Sequence, residues 1–190
     1  MSMTITFDLS DSYLEHFRDV MRRAREETSH LSEDEIIENG RKLLNQVGNS
    51  DTSDFIRERM RRLDTIISMV LDEAWALESE DRAHALQALS YFSDPEDLIP
   101  DNVPGLGFLD DAIMIDLVGK DMEHEIQAYR DFCAFRDSET SSTGDDPSEL
   151  QRSEWLEERR KQLHTRMRRR RKRGPESGGS SPFSLFRQAD

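Results

Sequence analysis

The stretch Ser93–Asp111, SDPEDLIPDNVPGLGFLDD, limits what this chain can fold into more than any other. It gathers three of the six prolines, two of the nine glycines and six acidic residues, Asp94, Glu96, Asp97, Asp101, Asp110 and Asp111. Asp94-Pro95 has the chemistry of a helix start: the aspartate side chain accepts backbone N–H bonds, and proline at the first helical position gives up no needed donor. Glu96 and Asp97 then suit the positive end of the helix dipole. Pro100 turns Ile99 away from helical geometry, and Pro104-Gly105-Leu106-Gly107 lets the backbone reverse before a second helix near Phe108. Asp110 and Asp111 fall in the first turn of that helix. The stretch predicts the connection of a helical hairpin, with Leu98, Ile99, Val103, Leu106, Phe108 and Leu109 as apolar pins under a ring of carboxylates.

The runs DPEDLIPD (Asp94–Asp101) and PGLGFLDDAI (Pro104–Ile113) resemble the signature of the YkvA-like family, a bacterial domain of unknown function. The resemblance spans roughly residues 86–118. It implies a small helical hairpin, often predicted to be membrane-associated in the family, with no agreed activity. In this chain Asp116, Lys120 and Asp121 interrupt the apolar run that membrane-leaning members carry.

The flanks read as helix. Met3–Leu9 alternates apolar and polar residues, but a single strand makes no sheet. Ser12-x-x-Glu15 opens a first helix over about 11–27, and Ser32-x-x-Glu35 opens a second, stapled by Leu31 and Ile36 and stopped by a left-handed Gly48-Asn49. A third helix is expected over 54–78, where Ile56, Met60, Leu63, Ile67, Val70, Ala74 and Leu77 form a heptad-like seam. That seam suits packing within the chain or a coiled coil between chains. A fourth helix is expected over 81–92, and a fifth from the turn to about Phe135 on Ile115, Val118, Met122, Ile126, Tyr129 and Cys133. The chain then divides into a short segment 1–10, an acidic all-α domain 11–136 containing the hairpin, a polar linker 137–147, a basic helix 148–173 and a disordered tail 174–190.

Charge is unevenly spread. The net charge is −14, yet Arg152–Arg173 alone carries +8, leaving −22 elsewhere. An acidic body with a basic arm points to an anionic partner, or to the arm folding back on its own body. The longest stretch free of Asp, Glu, Lys and Arg is Ala83–Ser93, eleven residues, too short to span a bilayer as a helix. Met1–Thr4 has no basic start and no long apolar segment, so no secretory signal is expected. The lone Cys133 suits a reducing compartment. These features predict a cytoplasmic protein, peripheral at most to the inner membrane.

Two groups of residues carry the candidate chemistry. Asp94, Asp97, Asp101, Asp110 and Asp111 can converge on Mg²⁺ or Ca²⁺, which prefer oxygen ligands; helix capping explains the same residues with no ion. Arg166, Arg168, Arg169, Arg170, Arg171, Lys172 and Arg173 place seven cations within eight residues, enough to meet several phosphates. No aromatic is interleaved in that run, so base stacking is not implied. The histidines lack paired ligand spacing, and no phosphate loop or nucleophile motif is present, so no catalytic residue is assigned. Three readings follow: a non-enzymatic adaptor or regulator that meets a protein partner and is tethered to an anionic membrane surface; a nucleic-acid or ribosome-associated protein; and a divalent-metal enzyme.

Overall fold

A computed structural model describes residues 11–93, 107–141 and 149–172. Among the described residues are seven α-helices and no strand: α1 (Asp11–Glu27), α2 (Glu33–Gly48), α3 (Asp54–Leu71), α4 (Ser79–Leu89), α5 (Leu109–Asp121), α6 (Glu123–Ser141) and α7 (Glu149–Lys172), with a 3-10 turn, Ser90–Ser93, after α4. The protein is all-α. Met3–Leu9 and the turn from Asp94 to Leu106 lie outside the described residues.

Local chemistry sets the helix starts. Ser32 Oγ accepts the Glu35 N–H while the Glu35 carboxylate accepts the Ser32 N–H at 2.8 Å, so the predicted capping box forms. That backbone hydrogen bond, with the Ser32 hydroxyl, holds the Glu35 carboxyl below its ordinary range. At the other end of α2, Asn49 stays right-handed at φ −96°, so the expected left-handed stop does not occur. Its side-chain amide instead donates to the Asn45 carbonyl at 2.8 Å, closing the helix without a positive φ.

α3 is shorter than its heptad pattern. Ile56, Met60, Leu63, Ile67 and Val70 are buried in the core of the same chain, but the helix stops at Leu71. Asp72 ends it: its Oδ1 accepts the N–H groups of Ala74 at 3.0 Å and Trp75 at 3.2 Å, an Asx turn that competes with helix continuation. Ala76 follows with φ 46°. The chain thereby turns Trp75 inward to 0% exposure, where Ala74 and Leu77 would have prolonged the seam. The expected fifth helix is likewise two, interrupted at Met122. Its stripe survives, because the Met122 N–H still bonds Val118 and the Ile126 N–H still bonds Met122, each at 2.9 Å. Ile115, Val118, Met122, Ile126 and Tyr129 are all buried, while Cys133 is partly so.

At the start of α5 the left-handed residue is Phe108 itself, at φ 63°. A bulky residue there is a backbone outlier, and it is retained with its ring buried. α2 packs on α3 and α4, α3 on α5, and α6 against α7. Ionic contacts tie the helices together: Asp116 of α5 receives Arg59 at 3.0 Å and Arg62 at 2.8 Å from α3, and Arg82 of α4 reaches Glu33 of α2 at 2.8 Å.

Candidate functional site

The long basic helix has two faces set by its 3.6-residue period. Leu156, Arg160, Leu163, His164, Met167 and Arg171 recur at helical spacing and turn toward α6 and the α3–α4 link. Leu163 and Met167 are buried, each contributing about 1.5–3 kcal/mol through lost contact with water. His164 meets Trp75 edge-on, ring centroids 4.3 Å apart, and Trp75 also packs on Phe132 at 5.2 Å. Arg160 donates to the Ala74 carbonyl at 3.4 Å.

The C-terminal end of this inner face is ionic. Arg171 Nη1 lies 2.7 Å from Asp81 and 3.0 Å from Glu125, and both carboxylates are almost wholly buried, at 2% and 1% exposure. Burial works against the Arg171 charge, yet its bonds to Asp81 and Glu125 hold it more firmly protonated than an ordinary arginine. Arg168 pairs with Glu78, whose carboxyl is held below its ordinary range chiefly by that hydrogen bond. Two arginines of the basic run are thus engaged by the acidic start of α4 and the first turn of α6.

The outer face carries Glu158, Lys161, Gln162, Thr165, Arg166, Arg169 and Arg170, which line an open groove of ≈ 590 Å³. Arg166 keeps a 3.7 Å contact with Asp131. Arg169, Arg170 and Lys172 are exposed, and among the described residues no ion pair engages them. Three cations held outward beside an open groove can meet phosphate or sulfate groups without giving up an internal partner.

The predicted aspartate site is only partly in view. Asp94, Asp97 and Asp101 lie outside the described residues, as does Arg173. Asp110 and Asp111 occupy the first turn of α5 and are buried, at 4% and 9% exposure, with hydrogen-bonding or electrostatic partners of their own. Among the described residues, no group of three or more His, Cys, Asp or Glu is placed to hold a metal ion.

Sequence reasoning missed the clasp formed by Asp81, Glu125 and Arg171. Glu125 sits in the charged run Glu123-His124-Glu125, and Asp81 reads as first-turn dipole chemistry. The available signal was Arg171 standing four residues beyond Met167 and eight beyond Leu163, on the inward stripe.

Residues 82–117 match a family model described as "Protein of unknown function (DUF1232)". The matched stretch overlaps residues 86–118, on which the family resemblance was drawn, and takes in most of α4, the turn and the first part of α5. No curated protein and no solved structure matches the chain. No helix among the described residues is long and apolar enough to cross a membrane.

Proposed function

We propose that this protein is a non-enzymatic adaptor that docks on an anionic surface through the outer face of α7, leaving its acidic helical body to meet a protein partner. One observation carries the reading: the basic run is divided, with Arg168 and Arg171 drawn inward onto carboxylates while Arg169, Arg170 and Lys172 stay exposed beside an open groove. Exposed arginines free of internal pairs bind phosphates with strong salt dependence, because each neutralised phosphate releases a counterion. The cytoplasmic face of a membrane is the surface this reading favours, and a nucleic acid or ribosome is the competitor.

The test is sedimentation of the full chain from a native lysate over a salt series, with and without nuclease, beside Arg169→Glu/Arg170→Glu. The expected result is association with membranes that survives nuclease and is lost at high salt. The double variant should lose that association while its melting temperature stays unchanged. Release by nuclease would assign the face to nucleic acid. Equal sedimentation of wild type and variant would overturn the role of α7.

A further inference from the structure

We propose that Trp155 is the apolar anchor by which the outer face of α7 settles into a fluid bilayer of mixed anionic and zwitterionic lipid; this deepens, and rests on, the anionic-surface reading above. Among the described residues, three large hydrophobic side chains are exposed: Phe55, Leu71 and Trp155. Phe55 is covered on one ring face by the Arg59 guanidinium, 3.7 Å from its centroid, and Leu71 is the last residue of α3. Trp155, 45% exposed, is the one of the three that shares a helix face with the cations.

Helical geometry places it there. At about 100° per residue, Gln162, Arg166 and Arg169 project within about 40° of the direction of Trp155, and Arg169 stands about 21 Å further along the axis. The outer face is therefore a line with an indole at one end and guanidinium groups at the other. An indole with a polar N–H and a broad apolar ring favours the boundary between headgroups and acyl chains. Neither signal suffices alone. One buried apolar group gives marginal membrane binding, and each basic residue near an anionic surface strengthens it roughly five-fold.

The choice of a fluid bilayer follows from the charges around the indole. Glu154 and Glu158 flank Trp155 on one side of α7, both exposed, whereas Glu157 projects away from it and Arg159, on the other side, is partly buried with its guanidinium 5.5 Å from the Phe135 ring. Glu158 accepts from Gln162 at 3.2 Å, but Glu154 makes no ion pair among the described residues. A nucleic acid laid along this face would carry its fixed phosphates past these carboxylates. Lipids diffuse, so anionic headgroups can gather under Arg166, Arg169 and Arg170 while zwitterionic ones lie under the glutamates.

The two tryptophans make the test selective, because Trp75 is fully buried. The full chain is mixed with vesicles of phosphatidylcholine alone, or of phosphatidylcholine with phosphatidylglycerol, each with acyl chains brominated near the headgroup. Indole quenching is read beside sedimentation. The mixed vesicles should quench part of the emission and the neutral ones should not. Trp155→Ala should abolish quenching and weaken sedimentation about ten-fold, in proportion to the apolar area withdrawn from the bilayer, with the salt slope unchanged. Sedimentation with mixed vesicles but no quenching would overturn the anchor and leave the anionic-surface reading standing. Binding to duplex DNA, measured beside the vesicles, in place of mixed vesicles would overturn the anchor with its lipid assignment and leave the anionic-surface reading standing, and binding to neither would overturn both.

Discussion

Arg171 and Asp81 meet at 2.7 Å across ninety positions of sequence, and the same guanidinium nitrogen serves Glu125 at 3.0 Å. Two buried carboxylates share one cation, so this contact fixes how the end of the basic helix lies on the body. Removing the cation leaves two uncompensated charges in the interior, a larger penalty than losing an exposed pair. Arg171→Ala should therefore destabilise the fold by about 2–3 kcal/mol in urea denaturation, because Arg171 itself is partly solvated and the full interior penalty does not apply. Arg169→Ala, two residues away and about 200° around the helix, on the outward face, should stay within about 0.5 kcal/mol of wild type. Equal effects of the two would show that the clasp contributes nothing.

How far the sequence carries the fold is clear from where its patterns fail. Ser32 and Glu35 are legible because a capping box is made of neighbours, and Ile56 to Val70 because burial follows period. α3 outruns its helix on paper because Ala74 and Leu77 fit the seam, whereas Asp72 finds a local backbone bond that the seam cannot predict. Arg171 is harder still. A run of arginines looks uniform: the stripe through Leu163 and Met167 marks Arg171 as the inward one, but nothing local names its partner ninety residues away.

His164 sets an acid limit on the docking of α7. Burial holds its imidazole below the ordinary histidine range; Glu78 and Asp81 pull the value up, while Arg168 and Arg160 push it down. Between the depressed folded value and the ordinary one near 6.5, the unfolded chain binds more protons, so stability falls as pH drops. The melting temperature should decline as pH falls below the ordinary histidine value of about 6.5, and His164→Gln should flatten that part of the slope. An imidazole titration by NMR that places His164 above the ordinary value would contradict the account.

Asp72 joins the end of α3 to α6. One oxygen accepts the Ala74 and Trp75 N–H groups, and the other accepts Tyr129 at 3.1 Å and Arg136 at 2.7 Å. Burial alone would raise its pKa, but Arg136 and the Trp75 N–H outweigh that and hold the carboxyl below the usual range. The stability it contributes is present above the ordinary aspartate value and is lost as pH falls through the depressed one. Asp72→Asn keeps an acceptor for the Asx turn and should cost about 1 kcal/mol, while Asp72→Ala leaves Tyr129 and Arg136 unpaired and should cost about 2–3 kcal/mol. Red-shifted Trp75 emission in the alanine variant alone would mark the loosened turn.

Gly40 tests how closely α2 and α3 approach. A Cβ there would stand 3.0 Å from Ile67 Cδ1 and 3.7 Å from Cγ1, in a core where Ile67 is 2% exposed. Alanine in a helix interior gains about 1 kcal/mol over glycine. Against this, Ile67 must shift, and its terminal methyl is the part of the side chain freest to do so. Gly40→Ala should therefore change stability by less than about 1 kcal/mol, because the propensity gain and the crowding nearly cancel. Gly40→Leu adds volume that no methyl rotation absorbs, and should destabilise by about 2–3 kcal/mol. Thermal denaturation of the pair separates the terms. A large loss already at alanine would mean that Ile67 is locked by its neighbours and that the α2–α3 spacing, not helix propensity, decides the residue at position 40.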